Sequence, residues 1–203
     1  GDCIRDFIGP LGKATDTGGA HNVVCVGGGV GIAEIYPEAK HLKETGKHVI
    51  SIIGSRSKEL LFFEEELKKA SDELYVTTDD GSRGLKGFVT DVLKELIAGG
   101  AGIDLVIAVG PIIMMKMVSL VTKPHNIKTL VSLNTIMLDG TGMCGCCRAT
   151  VGGKTVFACV DGPSFDGHQV DYDELASRNR RFSEKEKESA DIFEEGHTHA
   201  CQG

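Results

Sequence analysis

No apolar run in this 203-residue chain approaches the roughly 20 successive residues needed to cross a bilayer as a helix, so no membrane span is expected. Concentrated basic stretches are also missing. With a net charge of −7 and scattered Lys and Arg, the chain lacks the electrostatic footprint of a nucleic-acid binder. It opens Gly1-Asp2-Cys3-Ile4, without Met, a basic n-region or an apolar h-region. That opening predicts no secretory signal, and the chain starts as if cut from something longer. There is no internal repeat. The seven cysteines are an odd number, and three of them crowd into positions 144–147. This suits metal chemistry in a reducing, cytoplasmic compartment better than a disulfide framework.

What is present is a globular composition, 41% hydrophobic, with room for one large domain or for a medium and a small one. Its most informative stretch is Asp139-Gly-Thr-Gly-Met-Cys144-Gly-Cys146-Cys147, followed by a lone Cys159 and then Asp161-Gly162-Pro163. A plant-type [2Fe–2S] cluster is held by C-x4-C-x2-C and one distant cysteine. Cys144 and Cys147 supply the x2 pair, and Cys159 the distant ligand. The first position of the pattern falls on Asp139, so a carboxylate stands where a thiolate is usual. Gly140, Gly142 and Gly145 permit positive φ and close wrapping round an inorganic core. They also bring backbone N–H groups near its sulfides. Cys146 breaks the spacing and reads as a non-ligand. A structural zinc site or a reactive thiol group are the alternatives. Zinc prefers two separated C-x2-C knuckles or added histidines, and none follows at that spacing.

From His21 to about Leu133, short apolar runs alternate with longer amphipathic ones. Strands are predicted at Asn22–Val26, Val49–Ile53, Leu74–Thr77, Leu105–Val109 and Thr129–Leu133. Helices are predicted at about Ile32–Glu44, Lys58–Ala70, Phe88–Ala98 and Ile112–Val121. The alternation implies an α/β fold, a five-stranded parallel sheet covered on both faces. Residues 134–170 are glycine- and cysteine-rich, with a hairpin at Arg148–Val151, Gly152-Gly153 and Thr155–Ala158. Beyond Tyr172 the chain is polar, with a surface helix at Ser183–Phe193 and a loose tail.

The run Val23-Val24-Cys25-Val26-Gly27-Gly28-Gly29-Val30-Gly31 is a strand entering glycines and then a helix. Such a turn offers free N–H groups to a pyrophosphate, although glycine turns also occur for packing. Ser55-Arg56 after the second strand, Asp79-Asp80-Gly81-Ser82 after the third and Gly110-Pro111 after the fourth support it. All lie at carboxyl ends of parallel strands, where open α/β sheets bind ligands. Ser55 and Arg56 stand where an acidic residue usually bonds the NAD ribose, a place that could equally accept a 2′-phosphate, so the nucleotide is read as NAD(P). Arg56 is equally well read as a solvent-facing side chain.

These residues resemble the ferredoxin–NADP reductase superfamily, and within it the electron-transfer subunits typified by dihydroorotate dehydrogenase B. The likeness rests on Gly27–Gly31, Thr77-Thr78-Asp79-Asp80-Gly81-Ser82, Lys86-Gly87-Phe88-Val89-Thr90-Asp91, Gly110-Pro111 and the terminal cysteine segment. It covers about residues 1–196. Ser132-Leu133-Asn134, Met137, Asp139–Gly145 and Phe157–Pro163 are most similar to one branch. That branch holds the small subunits of sulfide dehydrogenase and of NADH-dependent reduced ferredoxin:NADP oxidoreductase. It implies a cluster held by Asp139, Cys144, Cys147 and Cys159, where the dihydroorotate dehydrogenase branch would have cysteine at 139. It also implies glycine at 146, where this chain has cysteine.

The resemblance divides the chain into 1–18, a remnant of a flavin-binding barrel and linker; 19–134, nucleotide-binding; 135–172, cluster-binding; and 173–203, a helix and tail. The FAD-contacting barrel motifs are absent. A hydride carries two electrons and the cluster accepts one, so FAD is expected between them. The acceptor is expected to be a larger flavin and iron–sulfur partner subunit. A non-catalytic electron carrier and a zinc-stabilised regulatory domain are the other readings. Cys25 reads as a core residue, Met114, Met115 and Met117 as packing, and Arg178, Arg180 and Arg181 as a solvated helix edge. Cys3 has no assigned role. His197, His199 and Cys201 have metal-like spacing in a terminal run.

Overall fold

A computed structural model describes residues 3–198. Its strands are β1 (Asn22–Gly28), β2 (His48–Ser55), β3 (Glu73–Thr78), β4 (Leu85–Lys86), β5 (Leu105–Val109), β6 (Lys128–Ser132), β7 (Arg148–Val151), β8 (Lys154–Phe157) and β9 (Ser164–Asp166). The helices are α1 (Gly31–Glu44), α2 (Glu64–Ala70), α3 (Val89–Ala98), α4 (Ile112–Thr122), α5 (Ala158–Asp161), α6 (Tyr172–Asn179) and α7 (Ser183–Thr198). His199 and Cys201, and the side chain of His197, lie outside the described residues.

One sheet runs β4-β3-β2-β1-β5-β6-β9, and β7-β8 form a separate hairpin. The expectation of five strands is corrected to seven. The five expected strands are present and parallel, and β4 extends them in parallel at one edge. At the other edge β9 pairs antiparallel with β6, Val131 opposite Phe165. Two- and three-residue strands carry too little sequence to show a period. They exist because a neighbouring strand offers them unpaired backbone groups.

The strands alternate their buried side chains between two cores. Val23 and Cys25 face α1 and α2, where Ile32, Ile35, Ala39, Leu42 and Leu67 are packed. Val24 and Val26 face the other layer, with Leu93 of α3, Met115 and Val118 of α4, and Leu175 of α6. That second core also contains Cys147, Ala149, Ala158, Cys159 and Phe165. The cysteine-rich segment therefore shares a hydrophobic core with the sheet.

The helix expected at Lys58–Ala70 is broken. Lys58–Leu60 form a 3-10 turn, Phe63 takes φ 57° in the left-handed region, and α2 starts at Glu64. A left-handed non-glycine residue costs about 1–2 kcal/mol. Tertiary contacts offset it: the Phe63 ring lies 5.3 Å from Tyr36, and Glu64 takes two hydrogen bonds from the Arg83 guanidinium.

Glu38, on α1, sits against the segment leading into β1. The Thr15 hydroxyl reaches both its carboxylate and Ser164 Oγ, at 3.4 and 2.9 Å. Its second oxygen, Oε2, is buried without a partner. Burial pushes the Glu38 carboxyl above its ordinary 4.5, with the Thr15 hydrogen bond opposing and Glu34 adding. A raised folded-state value means that ionisation is penalised more in the folded chain, so stability falls as pH rises through the folded value. Glu38→Gln removes this penalty. It should stabilise the chain at pH 7 by about 1 kcal/mol, and the gain should vanish at pH 4, where both side chains are neutral. Urea midpoints at the two pH values check this; an equal gain at both rules out the ionisation argument.

Candidate functional site

The chain reverses its direction across the sheet between β1 and β5, and the turns after these strands meet there. The first turn of α1 packs so closely on β5 that a Cβ on Gly31 would lie 2.2 Å from the Val109 carbonyl oxygen. Gly28 is less confined, since a Cβ there would meet the movable end of the Met114 side chain at 2.4 Å and the Pro111 ring at 3.2 Å. Gly31 is thus required by packing, and Gly27 and Gly28 are buried with it. Gly29 differs. It has φ 55°, open space in the Cβ direction, and an N–H bonded to Gly54 O at 3.0 Å. No side chain caps the start of α1 or of α4, so the turns at Val30-Gly31 and at Gly110-Pro111 leave helix N-termini toward this edge.

Hydrogen bonds continue the edge outward. Asp79 N–H donates to Ser55 O at 3.1 Å, Asp80 N–H to Arg56 O at 3.3 Å, and Gly87 N–H to Thr78 O at 3.1 Å. Several expected contact side chains are engaged in holding these loops. The Ser55 hydroxyl donates to Ser57 O at 2.6 Å. The Ser82 hydroxyl donates to Asp80 Oδ1 at 2.6 Å and accepts from Lys58 N–H at 2.9 Å. The Ser82 hydroxyl and N–H hold the Asp80 carboxyl below its usual range. Gly81 turns this loop with φ 79°. Arg56 and Asp79 are exposed. Val30, one of the expected contacts, is exposed on this edge, and so is Phe88, which the sequence offered only as part of a motif. Phe88 is 62% exposed, and its backbone N–H is held at 3.0 Å by Asp91.

The second site is the 14-residue excursion from Asn134 to Cys147. Gly140, Gly142 and Gly145 have φ of 75°, 84° and 65°, which is how the chain reverses repeatedly in so short a span. Cys147 Sγ lies 3.2 Å from Cys159 Sγ, and both residues are buried. Cys159 rides on the short α5, tied by the bond from Ala158 N–H to Cys147 O at 3.1 Å and by Asp161 accepting Phe157 N–H at 2.9 Å. Asp139 accepts Thr141 N–H and Cys144 N–H, each at 2.8 Å. The Thr141 N–H is the largest influence holding its carboxyl below the usual range, so it is a carboxylate at neutral pH. Each oxygen keeps a further lone pair. Asp139 and Cys144 are exposed.

The four donors therefore form two pairs, Asp139 with Cys144 at the surface and Cys147 with Cys159 beneath. Among the described residues no three His, Cys, Asp or Glu side chains converge on one ion position. Two pairs of thiolate and carboxylate donors suit a binuclear iron–sulfur core, and the residues fit such a group. Backbone donors are also in place. The Cys146 N–H points at Cys144 Sγ at 3.5 Å, and the Gly142 N–H interacts with the Cys159 sulfur. A hydrogen bond to Cys147, followed by burial, pushes the Cys159 thiol up in the metal-free chain. Cys146 is half-buried, its thiol pushed up first by a hydrogen bond to Cys144.

The loop is held from outside by residues the sequence did not assign. Arg148 Nη1 donates to Gly145 O at 2.9 Å, Arg178 Nη2 to Cys146 O at 3.4 Å, and Asn179 Nδ2 to Asn134 O at 2.7 Å. Arg178 is thus not part of a solvated helix edge. Its partner is 32 residues away, and no local pattern marks such a contact. No helix among the described residues is long and apolar enough to cross a membrane.

Residues 25–120 match the oxidoreductase NAD-binding domain, and 134–171 match the iron–sulfur cluster binding domain of dihydroorotate dehydrogenase B. A Clostridium beijerinckii protein, described as uncharacterised and lying in the adh 3′ region, is 50% identical over 100% of this chain and 71% of its own length. The Thermotoga maritima homologue of the dihydroorotate dehydrogenase B (NAD(+)) electron transfer subunit is 50% identical over 95% of this chain and 68% of its own. Among solved structures, a chain of the NADH-dependent reduced ferredoxin–NADP oxidoreductase superposes with a TM-score of 0.85. It is 47% identical, across 95% of this chain and 69% of that one.

The Asp139 carboxylate orders the metal-free loop through its two backbone acceptances. In metal-free Asp139→Ala, hydrogen exchange at the Thr141 and Cys144 amides should accelerate by about tenfold for each 1.4 kcal/mol of protection lost, with β1 and β5 unchanged. Unaltered exchange at those amides would mean the carboxylate is not what orders the loop.

Proposed function

The chain belongs to the family of dihydroorotate dehydrogenase B-type electron-transfer subunits, and from that premise we propose how it divides the work between its two sites. It is an electron-transfer subunit of an NAD-dependent oxidoreductase with an iron–sulfur domain. The nicotinamide dinucleotide lies along the edge made by Gly27–Gly31, Ser55-Arg56, Asp79–Ser82 and Gly110-Pro111. Asp139, Cys144, Cys147 and Cys159 hold a [2Fe–2S] cluster. The domain boundaries follow: linker to 18, nucleotide domain 19–134, cluster domain 135–172, and a helical arm from 173. The observation that carries this reading is the pairing of donors, two buried sulfurs 3.2 Å apart beneath an ionised carboxylate tied to the Cys144 amide.

Each part has a task set by its chemistry. The helix N-termini at the starts of α1 and α4, which no side chain caps, favour a pyrophosphate anion. Gly28 and Gly31 keep side chains out of the floor, so backbone and dinucleotide can approach closely. Phe88 and Val30 rim the edge with apolar surface. On the outer part of the edge the acidic Asp79 and Asp80, with Arg83 held by Glu64, outweigh the exposed Arg56, the one group there placed to take a 2′-phosphate, and so support NAD(H) over NADP(H). At the other site the fixed N–H groups of Gly142 and Cys146 are aimed at ligand sulfurs. A [2Fe–2S] cluster supplies one-electron capacity. Because a nicotinamide exchanges two electrons as hydride, FAD is required between the two sites in the complete enzyme. The exposed Asp139–Cys144 side offers the route to a larger flavin and iron–sulfur partner. The thiols suit a reducing cytoplasm.

The NADH-dependent reduced ferredoxin–NADP oxidoreductase type is favoured by the 47% identity with that structure and by Asp139. The match of 134–171 to the dihydroorotate dehydrogenase B domain supports the alternative, service to a dihydroorotate-oxidising partner.

Anaerobically reconstituted, dithionite-reduced chain should give a rhombic S = 1/2 EPR signal that shifts on Asp139→Cys. Absence of iron and sulfide, or a signal indifferent to residue 139, removes this ligand assignment. Equilibrium titration should show NADH binding roughly tenfold more tightly than NADPH. Equal affinities would contradict the reading of the acidic edge.

A further inference from the structure

Two of the three peptide units between Cys144 and Cys147, Gly145–Cys146 and Cys146–Cys147, each accept a hydrogen bond from an arginine. Gly145 O accepts the Arg148 guanidinium at 2.9 Å, and Cys146 O accepts that of Arg178 at 3.4 Å. Each carbonyl shares its peptide plane with the N–H of the next residue. The Gly145 carbonyl is therefore conjugated to the Cys146 N–H, which points at Cys144 Sγ at 3.5 Å. The Cys146 carbonyl is conjugated in the same way to the N–H of Cys147, itself a donor residue of the site. A cation on the oxygen draws electron density through the amide and makes that N–H a stronger donor.

The two arginines reach the loop from different elements. Arg148 opens β7, immediately after Cys147, whereas Arg178 lies in the last turn of α6, where Leu175 anchors the helix in the shared core. The adjacent Asn179 donates to Asn134 O at 2.7 Å, at the opposite end of the loop. One turn of helix thus fastens both ends of the segment that carries Asp139 and Cys144. Arg178 is half-buried, so its charge is less screened than that of a solvated side chain.

Resting on the reading of 139–159 as an iron–sulfur site, we propose that Arg148 and Arg178 are positioning residues that raise its reduction potential by polarising the Gly145–Cys146 and Cys146–Cys147 peptides, while Asn179 anchors the loop mechanically. Negative charge added at the ligand sulfurs on reduction is stabilised by nearby cations and by stronger N–H donors, so losing either arginine disfavours the reduced state. Asn179 carries no charge and shares no peptide with a sulfur ligand. Its loss loosens the loop without moving the potential.

The test uses the full chain, reconstituted anaerobically with ferrous iron and sulfide, in four variants: Arg178→Met, Arg178→Lys, Arg148→Met and Asn179→Ala. EPR-monitored redox titration should place the midpoint of both Met variants below that of the wild type, with Arg178→Lys returning toward it. Iron release to a chelator should be faster by on the order of tenfold in Arg178→Met and Asn179→Ala, with the Asn179→Ala midpoint unchanged. Hydrogen exchange on the metal-free chain reads the anchoring without iron: Arg178→Met and Asn179→Ala should both accelerate amides within 140–147. Unshifted midpoints in both Met variants overturn the polarisation. A Lys variant displaced as far as Met shows that charge is not the agent, and overturns it too. Unchanged exchange and release in Asn179→Ala overturn the anchor. Failure of the wild type to take up iron and sulfide defeats the underlying cluster assignment instead, with exchange still reporting on the loop.

Discussion

The burial of one sheet face by two different parts of the chain is the constraint on which the rest of the structure depends. Val24 and Val26 of β1 lie in the same core as Met115 and Val118 of α4, and as Cys147, Ala149, Ala158, Cys159 and Phe165 of the cysteine-rich segment. That segment has only a four-residue hairpin pair, one short helix and a three-residue strand. Alone it would bury too little to offset its ordering entropy. Docked on the sheet and paired to β6 through β9, it becomes an extension of the larger fold. The result is that the cysteine-rich segment and the parallel sheet form one packed unit.

Polar groups are committed in a way that separates scaffold from site. Along the nucleotide edge, Ser55, Asp80 and Ser82 spend their side chains on neighbouring loops, and the surfaces left for a ligand are backbone N–H groups, Arg56, Asp79 and the exposed Val30 and Phe88. In the cysteine loop the same economy appears with opposite polarity. Backbone N–H groups turn inward toward Asp139, Cys144 and Cys159, and the backbone carbonyls of Asn134, Gly145 and Cys146 turn outward to Asn179, Arg148 and Arg178.

Much of this was legible beforehand, for identifiable reasons. The five parallel strands stood out because strands buried on both faces read as continuous apolar runs. The glycine turns stood out because a helix start packed against a strand carbonyl leaves no room for Cβ, as Gly31 against Val109 shows. The segment that matches the iron–sulfur domain stood out through its glycines and cysteines. Three features were not legible. The short strands β4 and β9 have no period of their own. The break at Phe63 is imposed by Tyr36, Arg83 and Ser82, all outside the helical window. The role of Arg178 depends on where α6 docks.

What the sequence by itself determined is the local chemistry: apolar runs for strands, glycines where the backbone must crowd or reverse, and four donors whose type and spacing suit iron and sulfide. Those are properties of residues and their near neighbours, set by sterics and by what each side chain can bond. What only the tertiary structure decided is which distant groups meet. It set Cys147 against Cys159, Asp139 at the surface, the halves on one core, and an arginine from α6 on the Cys146 carbonyl. Such meetings follow from how separate elements jointly remove apolar surface from water, and no stretch of sequence specifies that outcome alone.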